Sequence, residues 1–570
     1  MFSLGKVPLQ VRGRSGFNKD HRFCATPAVG NLIPVLSDPV IPGTRVSIKG
    51  ALKAQLFPLA TDAFANLDYR LEGFFVPYRV LYGGFEFAVT GKYIDSGSST
   101  DEPSPQMIGT RYKAAMPRLV VHYNDQSERT KMGAGSLSDY LGYKTGKTPS
   151  PAGSANTRYF NLMPFLAYHM IYDQFYRNPI VQKSVFAPAN AYESRDLSTL
   201  PYRSIAVNAA TANAMGDVSG LFQIDELFRD GVQLGAIRQR NFDDDYFTSA
   251  RRSPQFGDAP TIGFQVDAST HKGELTLASI RTINALTQFC ERHGIAGPDF
   301  DRWVAANYDV HPTATNKVVF LGHDNVQVYT DPVEQTTQNT TDSIYATNNP
   351  FESVGAKYGD AKASGQFHIC DDFLVTEPGI IMVIASLVPK PLYATGIRRY
   401  LRHFDEPGWI ADIANPILES VGPQVVYKEE LDVEYVRANP SDLDDPFGYQ
   451  DRYAEFKVMN DESHGLFRPG ESMEAFALQR AFLNDNPVLN SNFIRIAPSM
   501  LRSIMAVTEP GMIQQLSMGG VDDRATSLEA DHTLDMWFDY KASMPLSRYS
   551  IPSLVTSADN GGATVVLPRK

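Results

Sequence analysis

Runs in which every second residue is apolar stand near both ends of this 570-residue chain, which places β-structure at both ends with long excursions between the strands. Val46, Ile48, Leu52 and Leu56 precede Pro58, and Tyr69, Leu71 and Phe75 precede Pro77. Far along the chain Leu534, Met536, Phe538 and Tyr540 precede Pro545. A period of two with aromatic filling predicts strands with one face in a core and the other in water. The segment from Gly379 to Pro389 is apolar on both parities and follows Pro378, which predicts a strand covered on both faces.

Helical periodicity appears only between these strands. Residues 162–177 space Phe165, Tyr168, His169, Tyr172, Phe175 and Tyr176 as one inward stripe, with Asn161 as N-cap and Pro164 tolerated in the first turn. Residues 281–293 place Ile283, Leu286, Phe289 and Cys290 on one face, with Gly294 as C-cap. A third helix is expected after Ser472. The stretches 92–135, 181–240 and 325–365 show weak periodicity and exceed ordinary connections, which marks them as functional loops or partner-binding surface. The pattern is mainly β: a sandwich or jelly roll with long, partly helical insertions.

Length alone suggests about four domains of roughly 150 residues. No repeat and no Gly/Ser- or Pro-rich linker divides the chain, so one domain with elaborate loops is the better expectation. With 43% hydrophobic and 20% charged residues, a disordered chain is excluded. Cys24, Cys290 and Cys370 lie far apart and form no disulfide framework or metal knuckle, consistent with synthesis in a reducing compartment. The N-terminus has no apolar core of signal-peptide length, and the longest apolar run, Ile380 to Val388, is broken by Ser386. A soluble protein not exported by that route is expected.

Nucleophile elbows, P-loops, dinucleotide fingerprints and zincin helices depend on short fixed spacings, and the sequence contains none of them. His368 stands near Asp371 and Asp372 without the spacing of a metal site, so it reads as a strand-end histidine beside turn acids. Asp243, Asp244 and Asp245 form one acidic run, and Asp442, Asp444 and Asp445 another. Carboxylates of this kind hold Ca²⁺ where they converge, but neither run has the EF-hand pattern. Both are weak candidates for a structural Ca²⁺ against the plainer alternatives of solvated loops or intersubunit ion pairs. No catalytic residue and no cofactor is assigned.

The net charge of −12 argues against a surface that tracks nucleic acid everywhere. The first 22 residues depart from it: Lys6, Arg12, Arg14, Lys19 and Arg22 face one acid, Asp20, a local 5 − 1 = +4. With Gly5, Gly13, Gly16, Phe2 and Phe17 interspersed, this reads as a basic arm able to reach phosphates and stack on unpaired bases. An ordinary solvated terminus, or an arm paired with an acidic neighbouring subunit, is the alternative.

The run PFGYQDRYAEF at 446–456, followed by GLFR at 465–468, resembles the major capsid proteins of microviruses, closest to the gokushovirus branch. LDYRLEGFFVPYRVLYGGFEF at 67–87, NLMPFLAYHMIYDQFYR at 161–177, DDDYFTSARRSPQ at 243–255 and RTINAL at 281–286 agree in order. RSGFNKDHRF at 14–23 and VLSDPVIPGTR at 35–45 look like the family's opening, and SMEAFALQRAF at 472–482 is similar too. The resemblance implies an eight-stranded antiparallel jelly roll whose sixty copies form a T=1 icosahedral shell around a circular single-stranded DNA genome, without catalysis. It implies a small basic internal DNA-binding protein, a host cell-surface receptor, scaffolding or pilot proteins during assembly, and residence in the virion after synthesis in the bacterial cytoplasm. On that reading residues 1–43 are a basic arm and extended segment, 44–546 the jelly roll, and 547–570 a C-terminal extension, with the arm meeting DNA or the internal protein. Only residues 250–281 stand where the family's long variable insertion would lie, so a threefold protrusion should be small or missing, and 181–240 or 325–365 would supply the outer surface. A β-sandwich that binds or hydrolyses carbohydrate is the alternative from another class, and a trimeric attachment protein a third.

Overall fold

The computed structural model describes residues 15–57, 59–61, 63–81, 85, 118–122, 132–144, 157–182, 184, 221–223, 235–255, 277–296, 317–334, 357–402, 422–440, 445–480, 482, 486–505 and 530–546. Residues 1–14 of the expected arm, the extension at 547–570 and most of 92–135 and 181–240 lie outside these.

The strands in chain order are β1 Ser15–Asn18, β2 His21–Ala25, β3 Ile33–Val40, β4 Arg45–Leu56, β5 Asn66–Pro77, β6 Arg118–His122, β7 Thr157–Asn161, β8 Leu221–Gln223, β9 Val319–Glu334, β10 Lys357–Leu374, β11 Gly379–Lys390, β12 Gln424–Tyr427, β13 Pro446–Gln450 and β14 His532–Met544. Strands from near the two ends of the chain pair with each other. β1 lies against the end of β14, Ser15 opposite Met544, and β2 continues in the same register, Ala25 opposite Leu534. β1 and β2 are therefore one interrupted lane. Adding β3, β4, β5, β9, β10, β11 and β14 gives eight lanes, and their spatial order is one-eight-three-six-five-four-seven-two, every neighbouring pair antiparallel. Lanes whose numbers sum to nine are always neighbours: one with eight, two with seven, three with six, four with five. That is a long folded hairpin rolled up on itself, the order of a jelly roll.

The core follows from the period of two. β14 alternates between core and outside along most of its length, with Leu534, Met536, Phe538, Tyr540 and Ala542 inward. These meet Ile48 and Leu52 of β4, Leu67, Tyr69 and Leu71 of β5, and Ile381, Val383 and Leu387 of β11 inside the roll. β11 is buried on both faces, as its composition predicts: Ile380, Met382 and Ile384 belong to a second core outside the sheet. That core is supplied by the insertion between lanes four and five. Its helix, Met163–Ile171, continues as a π-helical turn, Tyr172–Tyr176. Phe165, Tyr168, His169, Tyr172 and Tyr176 are buried as expected, whereas Phe175 is exposed. Asn161 accepts the Met163 N–H at 3.0 Å, although Leu162 holds the cap position.

Several expectations need correction. Residues 15–40, placed above in an arm and extended segment ending at 43, contribute lanes one and two. The expected loop 325–365 is entered from both sides by strand, because β9 runs to Glu334 and β10 starts at Lys357. Its inward residues are small or few, Val326, Val328, Ala361 and Ala363, so the alternation is faint in the sequence. The second helix spans Leu277–Ala296, so Gly294 lies inside it rather than capping it, and Leu286 is exposed rather than inward. Directly after Ser472 there is only a 3₁₀ turn, Glu474–Phe476, and the next helical turn among the described residues is Ser491–Ile494.

Candidate functional site

Of the basic candidates, Lys6, Arg12 and Arg14 lie outside the described residues, and the other two are tied into the roll. Lys19 pairs with Asp38 of lane two and sits 5.1 Å from the centre of the Tyr540 ring, while the Tyr540 hydroxyl donates to the same Asp38 at 2.6 Å. Lanes one and two are the two ends of the sheet path, so this cluster clasps the roll shut. Arg22 donates twice to Asp535 of β14, both at 2.7 Å, and the guanidinium holds the Asp535 carboxyl below its ordinary range. Lys19 and Arg22 are held by their own chain's acids.

The acidic runs are likewise engaged. Asp243 takes a bidentate pair from Arg70 at 2.7 and 2.6 Å, which lowers its pKa. Asp245 caps a turn: Oδ1 accepts from the Phe247 and Thr248 N–H groups at 2.8 and 2.7 Å, and Oδ2 from the Tyr393 hydroxyl at 2.7 Å. Asp244 is exposed beside them. Asp445 pairs with the largely buried Lys428 at 3.0 Å, while Asp442 and Asp444 lie outside the described residues. His368 contacts Asp371 at 2.9 Å, Asp371 also pairs with Lys49, and Asp372 with Arg45. Asp372 has φ +52°, at one of two bulges where β10 shifts register against β4. Among the described residues no three His, Cys, Asp or Glu side chains are placed to hold a metal ion.

The motif segments do converge, on a third core. Arg251 pairs with Tyr449 in a two-way backbone bridge of 2.8 Å bonds, and its side chain reaches Asp451. Gln450 donates to the Tyr246 carbonyl at 2.8 Å and to Ser249 Oγ at 2.7 Å. Tyr246, Phe247, Phe447, Leu489 and Phe493 fill the space between. Arg480 lies 3.9 Å from the Phe493 ring centre and 4.5 Å from that of Phe242, and donates to the Tyr393 hydroxyl at 3.1 Å. Glu430 accepts from Tyr246 at 2.9 Å, Arg399 at 3.0 Å and the Tyr427 N–H at 3.1 Å. Burial pushes its carboxyl up despite the guanidinium. The sequence reading passed over Arg399, Glu430 and Arg480, since a lone charge gives no sign of burial; the aromatic residue two beyond Arg480, Phe482, was the one available cue.

A cavity of about 430 Å³ opens beside this core, bordered by Phe247, Tyr393, Arg398, Val458 and Met459. Four glutamates line it, each beside an arginine: Glu430 and Glu455 with Arg399, Glu434 with Arg437, Glu462 with Arg398. Arg398 keeps the Glu462 carboxyl below its ordinary range. Glu430, Glu455 and Glu462 meet arginines from other segments, so these pairs lock separate stretches of chain together, whereas Glu434 and Arg437 share one helix.

A model of the capsid protein (F protein) family matches residues 6–289 and 305–554 of the chain. Capsid protein VP1 of Chlamydia phage 1 is 23% identical, with 97% of each chain covered. Capsid protein VP1 of Bdellovibrio phage phiMH2K is 22% identical, again over 97% of both.

Proposed function

The chain belongs to the capsid protein (F protein) family, and on that premise we propose that sixty copies close a T=1 icosahedral shell around a circular single-stranded DNA genome. It is the major capsid protein of a microvirus, a virion component whose copies assemble into a shell. The observation that carries the reading is the eight-lane jelly-roll order, closed by Lys19, Asp38 and Tyr540, in a chain that matches the family nearly end to end. A rolled sheet presents wide loop ends, and repeated contacts about rotation axes turn such a unit into a finite assembly. The role is structural. No helix among the described residues is long and apolar enough to cross a membrane.

Sixty copies at −12 each carry about −720 in all, which cannot neutralise packaged DNA. A small basic internal protein supplies the counter-charge, and Lys6, Arg12 and Arg14 meet that protein or the DNA on the inner surface. Attachment to a host cell-surface receptor, assembly helped by scaffolding or pilot proteins, and synthesis in the host cytoplasm belong to the same reading; the three unbridged cysteines fit the last of these. The test is nuclease treatment of purified particles. Single-stranded DNA protected until the shell is opened is the expected result, and intact shells whose nucleic acid is digested or absent would contradict genome enclosure.

A further inference from the structure

The segment after the PFGYQDRYAEF motif leaves an apolar ridge uncovered in the single chain. Phe456 is 63% exposed, Val458 45%, Met459 81% and Leu466 54%; Phe64 (66%), Tyr400 (48%) and Leu401 (56%) are exposed as well. Three of them, Tyr400, Val458 and Met459, line the cavity described above together with Arg468; Leu401, Phe456 and Leu466 are close to these in the chain, and Phe64 packs edge-on against Phe467 with ring centres 6.0 Å apart. Large side chains half to four-fifths exposed leave roughly 100 Å² each, so the seven present roughly 700 Å². That sum approaches the roughly 800 Å² that each partner gives to a standard interface.

We propose that this ridge is a contact between copies of the chain, seated against a neighbouring copy in the assembled shell. The proposal rests on the capsid reading. Charge argues against nucleic acid as the occupant: the rim carries both signs in pairs, Arg398 with Glu462 and Arg437 with Glu434, so a polyanion gains nothing there. An apolar centre with a polar rim of mixed sign suits another folded surface, and the chain displays a different apolar patch that could meet it. Val319 (41%), Phe320 (44%) and Phe175 (44%) stand exposed on lane five and the π-helical turn, with the Phe175 and Phe320 rings 6.1 Å apart. Heterologous contacts of this kind, made from two unlike patches, close into rings about rotation axes.

Met459 reports on the contact directly, because an exposed thioether is oxidised by peroxide and a covered one is spared. Intact particles and the subunits dissociated from them are treated with peroxide, and each methionine is read by peptide mapping, with the fully buried Met536 as the control for folding. Oxidation of Met459 at least about tenfold slower in shells than in folded subunits is the expected result. Equal rates would overturn the proposal while leaving the shell intact as a finding, and slow oxidation in both states would assign the cover to the chain itself. Protection lost when shells are emptied of DNA and internal protein without falling apart would assign it to those components instead. Met459→Glu and Phe456→Glu should give subunits in which Met536 stays protected but which form no shells; shells from both variants at wild-type yield would also overturn the proposal. Failure of the wild-type protein to form shells at all, with its partners supplied, would remove the capsid reading and the ridge contact together.

Discussion

Arg240 shows how much of this fold is held by charges that no motif marks. Its guanidinium donates to both oxygens of Glu72 at 2.7 and 3.0 Å and to Ser386 at 3.2 Å, and it lies 5.3 Å from the centre of the Tyr176 ring. Tyr176 donates to the same Glu72, so lane four, the π-helical turn and the segment before Asp243 meet at one carboxylate, and lane seven joins them through Ser386 on the guanidinium. Arg240→Met leaves that carboxylate shielded from water without its cation and should cost about 3 kcal/mol in urea unfolding. Asp243 gives a pH dependence of known sign. Arg70 depresses its folded pKa below the ordinary 3.8, so its contribution is present above that value and is lost as the pH falls through the folded pKa. Below about pH 4, wild type should lose stability more steeply than Asp243→Asn, a difference that acid titration followed by circular dichroism resolves. Sequence reasoning picked out Asp243 and Asp245 as acids but not their partners, because Arg70 and Tyr393 lie far away in the chain. It placed Lys19 and Arg22 in an arm because Asp38 and Asp535 approach them only once the roll has closed.

Among elements, legibility followed the size of the inward side chains. β4, β5 and β14 carry Ile, Leu, Phe and Tyr on their core faces and were readable, as was β11 with two apolar faces. Within 325–365, β9 and β10 fill the same core with Val326, Val328, Ala361 and Ala363, and there the sequence looked like loop; the larger Phe367 and Ile369 of β10 come only after it. The aromatic helix was placed correctly because its stripe is buried against β11, whereas the helix Leu277–Ala296 presents Ile280 and Leu286 to the outside: amphipathic spacing shows that a face is apolar, not what covers it. Since Phe165 is fully buried in the layer outside the sheet, Phe165→Ala should cost about 3–5 kcal/mol. The loss should appear first as faster proteolysis within 163–176, with the rolled sheet retained.

At the scale of the whole molecule, the roll is a frame and the insertions are its working surface. The connection from lane four to lane five runs from 78 to 318 and that from lane seven to lane eight from 391 to 531, and between them they supply the second and third cores, the cavity and most of the ridge. The fold class and the presence of β-strands near both ends of the chain were legible in the residues. Which surfaces meet in the assembly was not, because an apolar side chain reads the same whether its own chain or a neighbouring copy buries it. Of the outer-surface candidates, 335–356 and much of 181–240 lie outside the described residues. The most direct measurement is electron microscopy, with image reconstruction, of particles purified with their assembly partners present. Uniform icosahedral shells of sixty jelly-roll subunits are the expected result; a protein that stays dispersed as monomers or small oligomers under those conditions would contradict its role as a shell-forming subunit.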